Sequence, residues 1–470
     1  MENGLAARNG GRIGLAALVA ILVLGLGLRV AEAWDGRDPV YDAAAYAAIA
    51  ANLAEGEGFT AGAGATQPSS NYSPGLPLFV AGLYEATGGE HERFARIALA
   101  LIGTLSVLFA YLIGRRLASS LGSSAYRSTS NSPAFAVGLV AAGAVAVYPA
   151  LIEYQGMLMG EPLAATLLSG VVLAVLWASD PPRGWPEGAG SRTYTSPAGP
   201  PPSGQDPRAR WLVPGLLLGA LALVRPEYLA IAFLLALVVF ARRARSEWHL
   251  GLVQAAVLLA GLAIVVAPWT IRNAVALDRL VPVSTGGGQV LFAGTYLPSD
   301  GDPEAVGTEV VERHPGLFGR GAAGRLRLEQ ILARLAASRY PDLETDQALA
   351  RMGRERLWDA LTAEPVELAG FVVAKAWRTW TYGARDVVRD PGWELFHWAL
   401  VALGLLGLGL LAWQRRWEAL LLGTIFAAIT LLSALLVASP RRVLVLIPLL
   451  APLAGLAIAS IAQSAQRIRD

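Results

Sequence analysis

Apolar runs recur along this chain at lengths close to those that cross a bilayer, and three of the polar stretches between them are long. The runs are Ile13 to Val30, Phe94 to Ile113, Ala134 to Leu151, Pro162 to Trp177, Leu250 to Ala267, Trp393 to Trp413, Ala419 to Val437 and Val443 to Ile461. Two more, Trp211 to Val224 and Tyr228 to Phe240, each fall short of the roughly 20 residues that a crossing helix needs. Together they predict an all-α polytopic membrane protein, a transmembrane helical bundle of about ten spans. The first run is followed by Ala31-Glu32-Ala33, which looks like a signal-peptidase site, so cleavage after Ala33 competes with a retained span.

The pattern divides the chain into a transmembrane core at 1–273, a helical outer region at 274–391 and closing spans at 392–470. Within the core lie a first outer loop at 34–92 and a loop at 179–210 rich in Pro, Gly, Ser and Arg, read as flexible and cytoplasmic. Inside the first outer loop, Tyr41 to Phe59 reads as a short amphipathic helix closed by glycines. At 100° per residue Asp42, Tyr46, Ile49 and Leu53 share one stripe. An interfacial helix is predicted from Ser73-Pro74-Gly75-Leu76-Pro77 to near Thr87. The outer region predicts amphipathic helices near Ala322–Ala337, Thr345–Leu361 and Pro365–Trp380.

Charge then orients the bundle. Arg8 and Arg12, Arg115-Arg116, Arg208 and Arg210, Arg242, Arg243 and Arg245, Arg415-Arg416, and Arg467 and Arg469 mark cytoplasmic ends. By the positive-inside rule both termini are cytoplasmic in a cell (plasma) membrane. The two short runs then form a hairpin with Arg225-Pro226-Glu227 at its outer tip.

Composition agrees with the pattern. The chain is 54% hydrophobic but only 16% charged, against about 25% charged in soluble proteins. A net charge of +2 with no basic tail gives no reason to expect nucleic acid. The absence of cysteine excludes disulfides and thiolate metal sites. The four histidines (His91, His249, His314, His397) show no ligand spacing, so no metal or other cofactor is expected. Lys375, the one lysine, reads as a mark of arginine-rich coding.

Against the charge bias, Asp42, Glu161, Arg225, Arg272, Arg441 and Arg442 fall on the outer side, each at the end of a span or beside one. Converging, they would make a cavity at the membrane surface. Planar, bidentate arginine donors suit a phosphate there, and a carboxylate beside it suits a general base towards a hydroxyl or amine. Each residue also has a plainer reading. Asp42 can cap its helix, and Glu161 beside Pro162 can favour a helix dipole. Arg225-Pro226-Glu227 can be a local ion pair, and Arg272 can anchor the interface beside Trp269. Asp300-Gly301-Asp302-Pro303 has a metal-binding form but reads as a turn. Gly286-Gly287-Gly288 lacks the setting of a phosphate loop.

In order along the chain, several segments resemble the GT-C superfamily of membrane glycosyltransferases. The resemblance is strongest to bacterial relatives of dolichyl-phosphate-mannose–protein mannosyltransferases and of lipid A aminoarabinose transferase. The segments are Asp42 to Phe59, Ser73-Pro74-Gly75-Leu76-Pro77-Leu78, Gly160-Glu161-Pro162-Leu163, Arg225-Pro226-Glu227, Pro268-Trp269-Thr270-Ile271-Arg272-Asn273 and Pro440-Arg441-Arg442. Ser73, Leu76 and Val443 depart from the usual Pro, Tyr and Tyr of that pattern.

The resemblance implies a polyprenyl-phosphate sugar as donor and inverting transfer on the extracytoplasmic face, with no cofactor required. Asp42 and Glu161 would be the catalytic acids and Arg225, Arg272, Arg441 and Arg442 the donor phosphate ligands, with Tyr46 and Glu227 in support. The acceptor would be a protein, lipid or cell-envelope glycan. Different readings remain open: a multispanning lipid or glycan transporter or flippase, for which no inverted repeat is visible, or a glycan ligase with a lipid-diphosphate donor.

Overall fold

Most of the described residues are helical, as a backbone in lipid must satisfy its own polar groups. The computed structural model describes residues 2–60, 65–119, 133–180, 208–244, 247–299, 305–319, 325–381 and 390–469. Among these there is no strand, only a bridge between Thr60 and Pro68. The helices are α1 (Glu2–Asp35), α2 (Asp42–Ala54), α3 (Gly75–Thr87), α4 (Glu92–Ser119), α5 (Pro133–Ala146), α6 (Pro149–Glu153), α7 (Glu161–Ala178), α8 (Leu212–Val224), α9 (Tyr228–Arg243) and α10 (Trp248–Leu277). The outer region contributes α11 (Gly287–Gly294), α12 (Ala305–Arg313), α13 (Pro315–Phe318), α14 (Leu328–Arg339), α15 (Thr345–Ala363) and α16 (Pro365–Trp380). The chain closes with α17 (Pro391–Trp413), α18 (Trp417–Leu435) and α19 (Pro440–Arg469).

Among the described residues seven helices are long and apolar enough to cross a membrane, or eight if a bent pair counts as one span. This is fewer than the expected ten or so, for two reasons. The run Ala134 to Leu151 is not one rod: α5 and the segment after it bend by 59° at Tyr148-Pro149. Further, α8 and α9, with 13 and 16 residues, reach only about 20–24 Å at 1.5 Å per residue, against a hydrocarbon core of about 30 Å. Both pack on α10, α8 parallel to it and α9 antiparallel. Gly215 of α8 abuts Leu258 and Gly261 of α10, while Phe240 near the end of α9 lies against Gly251 near its start.

The run expected to stop at Ala267 continues through Pro268 to Leu277. The Thr270 hydroxyl donates to the Val266 carbonyl at 3.1 Å across this segment, and the helix stays whole. The outer helix expected at Ala322–Ala337 is observed at Leu328–Arg339, and those expected at Thr345 and Pro365 are present. The loop expected at 179–210 lies almost wholly outside the described residues, as does Asp300-Gly301-Asp302-Pro303.

One apolar core joins the N-terminal and C-terminal spans, from Leu18 to Leu456. At its centre is α19, whose residues from Val443 to Ala457 are buried almost throughout. Glycines let backbones meet there: a Cβ on Gly407 of α17 would lie 2.0 Å from the Leu453 carbonyl oxygen of α19. The outer region has a core of its own, built on Phe292, Tyr296, Val310, Leu332 and Leu349.

The two ends of the bundle differ in charge chemistry. At one end Arg116 of α4 pairs with Asp180 after α7, Arg242 of α9 donates to Ser179 O at 3.1 Å, and Arg242 also lies 4.6 Å over Trp417 of α18. The ends of α4, α7 and α9 and the start of α18 therefore share one end of the bundle. Asp42, Glu161, Arg225 and Arg441 share the other.

Candidate active site

The site is assembled from four short pieces of backbone, each at a helix end. Asp42 is the first residue of α2, after Tyr41, whose φ of 52° lies in the left-handed region that non-glycine residues rarely adopt. No side-chain hydrogen bond caps α2, so capping does not account for the acid. Glu161 opens α7. Arg225 and Glu227 lie in the turn between α8 and α9, and Arg441 and Arg442 in the first turn of α19.

Two glycines set the distances. A Cβ on Gly75 would lie 2.7 Å from Val224 Cγ2 and 2.8 Å from Val224 N, and one on Gly160 would lie 3.2 Å from Val224 Cγ1. Because both are glycine, α3 and the start of α7 close on the residue before Arg225. This brings Arg225 to Glu161.

The side chains form one connected network. Arg441 donates through Nη1 to Asp42 Oδ2 at 3.0 Å and through Nε to Glu161 Oε1 at 2.5 Å. Arg225 Nη2 donates to the same Glu161 oxygen at 2.6 Å. Glu227 Oε1 lies 3.8 Å from Arg225 Nη1 and 3.6 Å from Arg442 Nε. Three carboxylates and three guanidiniums leave these six residues neutral overall.

Exposure is uneven: the Glu161 side chain is 0% exposed, Glu227 14% and Asp42 44%. Asp42 is thus the one acid of the network that a substrate can approach. Tyr46, on the predicted stripe with Asp42, lies among Asp42, Glu161, Arg225 and Arg441. Burial first, and then the two carboxylates, push its phenol above the usual tyrosine range. Tyr154 stands among Glu161, Arg441 and Arg225 as well. Sequence reasoning missed it, and only its position seven residues before Glu161 pointed to it.

Arg272 is the exception among the expected arginines. Its guanidinium donates to Ser69 O at 2.8 Å and Phe59 O at 2.9 Å, and stacks 5.0 Å over Trp269 and 5.6 Å over Phe59. It makes no ion pair with the network. Trp269 Nε1 donates to Val283 O at 2.7 Å, and Asn273 Nδ2 to Val281 O and Val283 O. The Pro268–Asn273 segment therefore clamps the first outer loop and the residues after α10 against the end of that helix. Arg272 Nη1 also donates to Asn273 Oδ1 at 3.0 Å, so the guanidinium is engaged by the loop and by its own helix.

No group of three or more His, Asp or Glu side chains that could hold a metal ion occurs among the described residues. A cavity of about 690 Å³ opens in the outer region instead, lined by His314, Arg339, Glu355, Arg356 and Asp359 among others.

No protein-family model matches the sequence, and no curated protein matches it. Solved structures do. The chain is similar to the oligosaccharyltransferase AglB of Archaeoglobus fulgidus in complex with an inhibitory peptide and a dolichol-phosphate. That match has a TM-score of 0.56 at 15% identity, over 97% of this chain and 51% of that one. The apo form of the same enzyme matches with a TM-score of 0.54 at 16% identity, over 97% and 51%. At this identity the likeness is one of fold: the chain shares the helical membrane architecture of AglB. The chain spans about half the length of these relatives. ArnT from Cupriavidus metallidurans bound to undecaprenyl phosphate matches at a TM-score of only 0.39, with 15% identity, over 95% of this chain and 79% of that one.

Proposed function

We propose that this protein is a glycosyltransferase that moves a sugar from a polyprenyl-phosphate donor to an acceptor on the extracytoplasmic face of the plasma membrane. The observation that carries this reading is the single network of Asp42, Glu161, Arg225, Glu227, Arg441 and Arg442 at one end of the bundle. The solved relative with this fold, AglB, was captured with a dolichol-phosphate, the class of lipid phosphate that such a network suits.

Asp42 takes the proton from the acceptor hydroxyl or amine. The freed lone pair forms a bond to the anomeric carbon as the bond from that carbon to the phosphate oxygen breaks, so configuration inverts. The electron pair stays on the lipid phosphate. Arg225, Arg441 and Arg442 stabilise the charge that grows there, and Glu161 holds two of them in place beforehand. Arg272 is left out of this set, and the outer region, with its cavity, receives the acceptor.

The test is transfer of labelled sugar from a polyprenyl-phosphate donor in membranes carrying the wild type or Asp42→Asn. Loss of a general base lowers the rate by about 10²–10⁴-fold. Undiminished transfer by Asp42→Asn sinks the assignment of the base.

A further inference from the structure

The one lysine of the chain is buried and points inward. On α16, Leu368, Phe371, Lys375 and Thr379 form the buried stripe, while Val366, Val373 and Trp377 are exposed. A helix bathed in water would reverse this. Trp377 stacks on Trp398 of α17 at 5.3 Å, and Trp380 Nε1 donates to Thr430 Oγ1 of α18 at 3.0 Å. Tryptophans gathered on span ends mark the headgroup layer of a bilayer, so α16 turns its apolar face to lipid and Lys375 to the protein at that depth.

Lys375 Nζ donates to Gly294 O, at the end of α11, at 2.5 Å and lies 4.8 Å over the Phe371 ring. An ammonium carries three donors, and only this one is used. Among the described residues no carboxylate pairs with it. Gly294 packs directly on the Leu436 backbone, and the next residue, Val437, accepts from Arg442 Nη1. Arg442 is close enough to repel the lysine. Glu227 faces Arg442 at 3.6 Å but makes no ion pair with Lys375. Two like charges buried near each other, one of them without an acid, are costly unless an anion joins them.

We propose that Lys375 and Arg442 together hold the phosphate of the lipid-linked donor. This rests on the function proposed above and gives its phosphate an address: on the Arg442 side of α19, with Arg441 on the Asp42 side. The simpler role, a cation at the C-terminus of α11, needs only a donor to the Gly294 carbonyl, which glutamine also supplies.

The experiment measures equilibrium binding of undecaprenyl phosphate, undecaprenol and inorganic phosphate to the purified full chain in detergent. The expected result is at least about tenfold weaker undecaprenyl phosphate binding for Lys375→Met and Lys375→Gln, with Lys375→Arg close to wild type, as loss of a charge-assisted contact predicts. Undecaprenol binding should be the same in all four proteins. Displacement by millimolar inorganic phosphate, with the same dependence on Lys375, supports recognition of phosphate whatever carries it, and no displacement supports a lipid-borne one.

Titration provides a second readout. Burial first, and then Arg442, the one charged group acting on Lys375, lower its pKa to about 8. Wild-type affinity should therefore fall as pH rises through about 8 and that of Lys375→Arg should not. Wild-type binding that is indifferent to Lys375→Gln overturns this inference alone. Failure of the wild type to bind undecaprenyl phosphate overturns it together with the donor.

Discussion

Glu161 accepts from both Arg225 and Arg441 on a single oxygen, and its other oxygen, Oε2, is buried with no hydrogen-bond partner among the described residues. Its first task is to keep two arginines from swinging out to solvent. Glu161→Gln removes the fully buried charge that both arginines share, so it should destabilise the protein by about 3–5 kcal/mol. A thermal melt in detergent that matches the wild type would falsify that role. Arg272→Ala tests the opposite case. It frees two loop carbonyls rather than a phosphate, so donor affinity should be unchanged while the first outer loop becomes more sensitive to protease; a loss of donor affinity without that sensitivity would return Arg272 to the phosphate set. At this scale the sequence was informative where an acid stood against the pattern. Asp42 on an apolar stripe and two arginines on the wrong side could be read directly. Nothing in the sequence separated Arg272 from Arg441, because both are arginines beside a span after an aromatic or proline motif, and only the direction of their donors differs.

Elements were legible wherever burial follows a simple period. The short helices α2 and α3 and the outer helices α15 and α16 begin where expected. The bend after α5 was hidden because the apolar run is continuous through Val147, so hydropathy gives no sign that Pro149 starts a new direction. Pro268 misled in the other direction, since proline reads as a stop but a membrane helix tolerates it when neighbours satisfy the freed carbonyl. The glycine contacts were equally unreadable, since their use depends on which helix arrives. Gly75→Val should separate α3 from the turn holding Arg225, because its Cβ alone would meet backbone atoms. Overpacking of this kind costs about 1–3 kcal/mol, and transfer activity should fall further than stability does. Activity that simply tracks the melt would mean that Gly75 serves packing alone.

At the scale of the whole molecule, the class of fold was readable from composition and run lengths, while the number of crossings was not. Length alone counts spans poorly here: α9 has only 16 residues, yet it runs from the turn holding Arg225 at one end of the bundle to Arg242 at the other. The proposed orientation can be checked simply, because the chain has no cysteine of its own. A membrane-impermeant maleimide applied to intact cells should label Glu309→Cys in the outer region and leave Arg415→Cys untouched until the cells are opened. The reverse pattern would put the Asp42 network on the cytoplasmic side.

One buried arginine bears on how such a molecule is made. Arg29, with no exposed surface, donates from α1 to Val145 O at 2.9 Å and Ala146 O at 3.0 Å, the carbonyls left open where α5 breaks. The break can sit among lipid tails only once α1 is beside it, and Arg29 leaves the ribosome 117 residues before Ala146. A chain cut after Ala33 would lose this partner if α1 then departed, and Arg96, which donates to Ala33 O at 3.0 Å, would lose another. Synthesis from the N-terminus thus delivers the plug before the gap that it fills.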